Sequence, residues 1–162
     1  MIGFYPGFLR FNNITLSEAG EFVCEVKTSV GKNIAKTRLL VSGPPSAPGA
    51  VLAEDLTATS AKIHWSDGSE NGRRIWAYML EGRTNHNQQW LPLVNVSEYT
   101  NFQYYTDKST GRKVTHIRDV LSPWSSYEFR ISAINDLGLG PPSGMPLKFN
   151  YSLDFNCVIL CH

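Results

Sequence analysis

The side chains with the strongest intrinsic chemistry here are cysteines and histidines, and their spacing decides how far that chemistry can go. The cysteines are Cys24, Cys157 and Cys161, an odd number that makes no disulfide framework by itself. Cys157, Cys161 and His162 crowd donor atoms into the tail, but tetrahedral zinc needs a fourth ligand and none stands nearby in sequence. His64, His86 and His116 are scattered without metal-binding spacing, so no metal site is expected. Neighbouring carboxylates such as Glu54 and Asp55 fall on an extended segment, where successive side chains point to opposite sides and cannot share a substrate. There is no Gly-x-Ser-x-Gly elbow. Gly138-Leu139-Gly140 runs into Pro141-Pro142 rather than into a helix that could cradle a phosphate. No catalytic, cofactor-binding or metal-ligating residue is therefore expected.

Binding chemistry is better represented. The stretch Tyr99-Thr100-Asn101-Phe102-Gln103-Tyr104-Tyr105 carries four aromatics. Exposed, Tyr99, Phe102, Tyr104 and Tyr105 would be contact anchors for a protein partner. The favoured reading is an edge strand that lays these rings over the core. Arg73-Arg74, and Lys108, Arg112 and Lys113, read as solvated loop charges rather than an anion site. Three acceptor sequences for N-linked sugar are present, at Asn13, Asn95 and Asn150, where chance alone would place about two. They lean toward a secreted context.

These side chains need elements to hold them. The chain has 162 residues, enough for one domain or one domain plus a fragment. Lys+Arg 15 against Asp+Glu 14 gives a net charge of +1, so no electrostatic case for nucleic acid arises. At 42% hydrophobic and 12% aromatic residues, a packed, β-rich core is expected. No apolar run approaches the ~20 residues needed for a membrane-spanning helix, and the first residues lack the pattern of a secretory signal. Short alternating runs separated by Gly, Pro, Asn and Asp dominate. In Tyr127-Glu128-Phe129-Arg130-Ile131-Ser132-Ala133 the odd positions face a core and the even ones water. Ala61, Ile63 and Trp65 repeat the pattern with Lys62 and His64 outward, and so do Trp76, Tyr78 and Leu80. Leu147, Phe149 and Tyr151 form the expected last strand. The sharpest boundary is the proline-rich joint of residues 43–49, whose prolines cannot donate to a ladder.

Two resemblances follow from the motifs. Leu16-Ser17-Glu18-Ala19-Gly20-Glu21-Phe22-Val23-Cys24, with Lys36 to Val41 as a final strand, resembles the end of an immunoglobulin domain. That likeness implies a disulfide at Cys24 whose partner this chain lacks. Phe22, standing where the family has Tyr, cannot make the corner hydrogen bond. Residues 1–42 are thus expected to be the last strands of such a domain, unable to close a sandwich alone. Residues 44–151 resemble a fibronectin type III domain: Pro48, Trp65, Ile75-x-x-Tyr78-x-Leu80, Leu121-x-Pro123-x-x-x-Tyr127, and Asn135-x-x-Gly138-x-Gly140-x-x-Ser143. Trp65, Tyr78, Leu121 and Tyr127 are its expected structural core, with the Tyr127 hydroxyl on backbone near Leu121. Gly138 and Gly140 are expected at positive φ, and a β-bulge near Asp119-Val120.

The fold class expected is all-β: a truncated immunoglobulin-like portion, the joint, a fibronectin type III β-sandwich, and an irregular tail over 152–162. The order of the modules, with Ser122-Pro123-Trp124-Ser125-Ser126-Tyr127, resembles the contactin family of neural adhesion molecules at the junction of the last immunoglobulin and first fibronectin domains. The resemblance implies a glycosylated, disulfide-bonded adhesion protein on the extracellular side of the plasma membrane, lipid-anchored through parts absent here. Its partners would be other cell-surface adhesion proteins, at axons or septate junctions. The tail departs from the family pattern, and the chain reads as a fragment of a longer protein. The rival readings are a cytokine-receptor-like ectodomain, suggested by Trp124-Ser125-Ser126 although that box belongs after the next strand, and an intracellular titin-type muscle module.

Overall fold

A computed structural model describes residues 2–5, 8–123, 125–144 and 147–149. Asn150, Tyr151, Cys157, Cys161, His162 and Trp124 lie outside the described residues.

Ahead of the joint, β1 (Ile2–Tyr5) pairs with β2 (Phe8–Phe11). After a single 3₁₀ turn at Leu16–Glu18, β3 (Gly20–Thr28) and β4 (Gly31–Leu39) form a nine-pair antiparallel hairpin. Thr15 starts the turn: its backbone N–H donates to Glu18 Oε2 at 2.6 Å, the backward half of a capping box. Neither ladder joins a larger sheet, and Val23, Val26 and Ile34 stay exposed. Phe22 meets Phe11 edge to face at 4.9 Å. Cys24 is exposed and free.

After the joint two sheets stack. One has the order β5 (Gly49–Glu54), β6 (Ala61–Ser66), β10 (Lys113–Ile117), β9 (Tyr104–Thr106). The other runs β12 (Gly138–Leu139), β11 (Tyr127–Asn135), β7 (Ala77–Thr84), β8 (Leu91–Ser97), with β13 (Leu147–Phe149) also on β11. The last edge is split because Pro141 and Pro142 supply no ladder donors. Between the two pieces Gly140 N–H still reaches Ala133 O at 2.8 Å and Ser143 N–H reaches Ile131 O at 2.9 Å.

The core lies between the sheets. Ile63, Trp65, Leu80, Val96, Ile117, Phe129, Ile131 and Ala133 are wholly buried, with Tyr78 and Leu121 nearly so. Trp65 meets Tyr78 edge-on at 4.9 Å between ring centres, a geometry that adds electrostatic attraction to the area buried. The Tyr127 ring stacks on Phe129 at 5.6 Å, and its hydroxyl oxygen accepts the Ser122 N–H at 2.9 Å, tying the crossover loop to β11.

Four local expectations are revised. Trp76 precedes β7 and is 43% exposed, because the strand begins at Ala77 and Trp76 N–H bonds Ile134 O outside the ladder. His64 does face outward but is buried, flanked by Leu52 on β5 and Val114 on β10. There is no bulge at Asp119-Val120. β10 ends at Ile117, and the change of register is absorbed by a turn with Asp119 at φ 57°, where Val120 and Leu121 N–H both donate to Thr59 O. Gly138 has φ 130° as expected, but Gly140 is not among the positive-φ glycines. It is needed for space: a Cβ there would stand 2.2 Å from Pro45 O.

Candidate binding surfaces

The aromatic stretch is divided by strand parity. In β9, Tyr104 pairs with Thr115 and Tyr105 with Val114, so the two rings leave opposite faces of the sheet. Tyr104 turns inward to Tyr78 at 5.3 Å and Trp65 at 6.3 Å. Phe102 packs on the core as well, so these two candidates for partner contact serve packing instead. Tyr105 turns outward, half exposed, and stacks on His116 at 6.4 Å. Tyr99 is 85% exposed on the turn after β8, a turn held by Tyr99 N–H on Ser97 Oγ at 3.2 Å and Thr100 Oγ1 on Asn95 O at 2.9 Å.

The outer face of this sheet therefore carries a row across four strands: Leu52, His64, Val114 and Tyr105. His64 Nε2 lies 3.2 Å from Glu54 Oε2, and Lys62 Nζ lies 3.9 Å from Asp55 Oδ2. The adjacent carboxylates thus serve separate partners on one face, Asp55 lying past the end of β5 at φ 48°. Lys113 is not a free loop charge. Its ammonium lies 5.0 Å from the Tyr104 ring centre and 4.0 Å from Asp67 Oδ2. Asp67 Oδ1 accepts the Tyr78 hydroxyl at 2.5 Å. Burial first, and this hydrogen bond second, push the Tyr78 phenol far above its ordinary range. Arg74 reaches Glu98 at 3.5 Å on the surface, where such pairs contribute little.

A second outer surface was not legible in the sequence. Trp90 packs against two guanidinium groups, with Arg83 at 4.7 Å and Arg130 at 4.5 Å from its ring. Each arginine is held by a carboxylate from the neighbouring strand: Arg130 bonds Glu81 at 2.8 and 3.0 Å, and Arg83 Nε bonds Glu128 at 2.7 Å. The ladder register dictates these pairs, since Arg83 faces Glu128 and Glu81 faces Arg130. Two carboxylate-held cations against one indole make a charge-balanced patch.

The joint is built into the sandwich. Gly43 N–H donates to Asn71 O at 3.0 Å and Ser46 N–H to Ser69 O at 2.8 Å. Asn71 Nδ2 returns a bond to Pro44 O at 2.7 Å. The buried Asn135 amide donates to Gly43 O at 2.9 Å, with Glu70 O and Arg73 O each at 3.3 Å. Pro45 and Pro48 are fully buried.

Among the described residues no three His, Cys, Asp or Glu side chains cluster as a metal would need. No helix among them is long and apolar enough to cross a membrane.

Two stacked antiparallel sheets, pinned at a tyrosine corner, define a β-sandwich module. Residues 46–148 match the family model of the fibronectin type III domain, and the chain belongs to that family. It is similar to Contactin of Drosophila melanogaster, 42% identical over 135 residues, covering 83% of this chain and 9% of that protein. Contactin-4 of Rattus norvegicus is 37% identical over 137 residues, covering 85% of this chain and 12% of that one. The chain thus spans about a tenth of the length of these relatives. Among solved structures, the chicken CNTN1 FN1–FN3 domains are similar at 28% identity and TM-score 0.50, covering 65% of this chain and 32% of that chain. Domains A168–A170 of titin are similar at 25% identity and TM-score 0.53, covering 83% of this chain and 42% of that chain.

Proposed function

We propose that this chain is a segment of a contactin-like adhesion protein on the extracellular side of the plasma membrane, acting by protein–protein binding. The observation that carries this reading is the reach of the similarity. A stretch of 135 residues in a chain of 162 cannot begin later than Thr28, so the match to the fly Contactin takes in β4 and the joint as well as the sandwich. A lone fibronectin module of another kind would not require likeness upstream of residue 46. On this reading residues 1–42 are the closing strands of an immunoglobulin-like domain. The exposed hairpin β3–β4 is the face its other sheet would cover, and Cys24 is one half of that domain's disulfide. The sandwich then acts as a spacer of fixed geometry and as a recognition surface, with Tyr105 and Tyr99 as contact anchors. Affinity would come from repetition along the parent protein. Axon guidance or septate-junction assembly is the physiological setting this implies.

The likeness to the titin domains supports one alternative, a structural module of the muscle filament. The test is to present the chain as a multimer to intact cells and, separately, to myofibrils. Binding to cells that is lost after surface proteolysis, and weakened about tenfold by Tyr105→Ser with Tyr99→Ser, is expected. Binding to myofibrils alone would sink the adhesion reading.

A further inference from the structure

The loop between β6 and β7 clasps the joint through one side chain. Asn71 Nδ2 donates to Pro44 O at 2.7 Å and reaches Ser46 Oγ at 3.4 Å, while Asn71 O accepts the Gly43 N–H at 3.0 Å. Asn71 stands at φ 49° and Gly72 at φ 80°. Asparagine tolerates the first value better than most side chains, and the second favours glycine. A Cβ at Gly72 would also crowd Ser42 Oγ at 2.6 Å. The turn and the clasp together thus select Asn followed by Gly, and Asn71 is the only asparagine of the chain that a glycine follows. That pair is chemically fragile. Asparagine is thermolabile, and a following glycine leaves the next backbone nitrogen unshielded by any side chain. Gly72 is exposed, and its N–H meets no acceptor among the described residues.

We propose that Asn71 is a site of spontaneous deamidation gated by the joint: unseating the joint frees the Asn71 amide for attack, and loss of that amide keeps the joint unseated. The Gly72 nitrogen gives its proton to water and attacks Asn71 Cγ. The Cγ–Nδ2 bond breaks, ammonia leaves, and a cyclic imide forms. Water then adds to either imide carbonyl and opens the ring to aspartate or isoaspartate, with no change of oxidation state. Ring closure needs the side chain and the Gly72 peptide free to turn toward each other. While the bond to Pro44 O holds the side chain, it is not free, so the rate follows the fraction of time the joint is open. After conversion a carboxylate, which can only accept, faces the Pro44 carbonyl where a donor stood. In isoaspartate the backbone is also longer by a methylene at a tight turn. Each conversion therefore records an opening permanently, in the connection between the sandwich and the strands ahead of it. None of this depends on the extracellular reading.

The test incubates the purified full chain in mildly alkaline heavy-oxygen water, folded and in denaturant, and reads each asparagine by peptide fragmentation. In the denatured chain Asn71 is expected to take up the isotope faster than any other asparagine. In the folded chain its uptake should be about tenfold slower, in proportion to opening of the joint. The converted chain is then isolated by its added negative charge and compared with Asn71→Asp. In both, exchange of the Gly43 and Ser46 amide protons, followed by NMR, should speed up about tenfold, with the amides of Ile63 and Phe129 unchanged. The converted chain keeps the comparison decisive should Asn71→Asp fold poorly. An Asn71 that stays unmodified in denaturant while another asparagine converts would overturn the site. Equal rates in the folded and denatured chains would overturn the gating. Unchanged exchange at Gly43 and Ser46 would overturn the clasp.

Discussion

Tyr78 shows how one hydroxyl is held at the edge of an apolar core. Its ring supports Trp65 and Tyr104, while its oxygen reaches Asp67. Because burial and that hydrogen bond raise the folded-state pKa above the unfolded phenol value of about 10, the linked stability is complete below that value. It is lost as pH rises beyond it, since only the unfolded chain then releases the proton. Denaturant midpoints from pH 8 to pH 11 should therefore fall for the native chain, and fall less steeply for Tyr78→Phe. Equal slopes would mean that the hydroxyl is not buried. Residue chemistry also explains what the aromatic stretch does: Tyr104 and Tyr105 are neighbours in sequence, and the two-residue period alone sends one to the core and the other to solvent.

At the scale of elements, the joint and the turns it touches form one unit. Prolines 44, 45 and 48 remove donors, and the N–H and carbonyl of Gly43, the carbonyl of Pro44 and the N–H of Ser46 are taken by Ser69, Asn71 and Asn135. Gly140 is the tightest point of this packing. Replacing it with Ala forces the segment after β12 and Pro45 apart, and Gly140→Ala should cost about 1–3 kcal/mol in chemical denaturation, in the range of overpacked sites. A cost confined to the few tenths expected of a tolerant turn would show that the joint can yield. The Arg83–Trp90–Arg130 stack is likewise a property of elements, because it needs β7 and β11 in register before its four charges can meet.

Over the whole molecule, the sandwich depends on the joint and hardly on what precedes it. The hairpin β3–β4 has most of its side chains in solvent, whereas Pro45 and Pro48 are fully buried in the module. Deleting residues 1–42 should change the sandwich's stability by less than about 0.5 kcal/mol, the scale of surface changes. Deleting residues 1–48 should cost several times more, through the lost proline burial and the lost bond from the buried Asn135 amide to Gly43 O. Equal effects of the two deletions would refute this division.

The strands of the sandwich and the core around Trp65, Tyr78, Leu121 and Tyr127 were legible in the sequence, because a half-buried strand writes its burial as a two-residue alternation and a tight corner demands particular residue types. That alternation could not show that His64, on the outward parity, is closed over by Leu52 and Val114, since the covering side chains come from other strands. Nor could it show that Trp90 packs against arginines drawn from β7 and β11, or that Gly140 is held by Pro45. Periodicity is local, so the chain alone determined which residues alternate and where they turn. Which surfaces are open, which charges meet and how the joint is seated were decided only when distant segments packed.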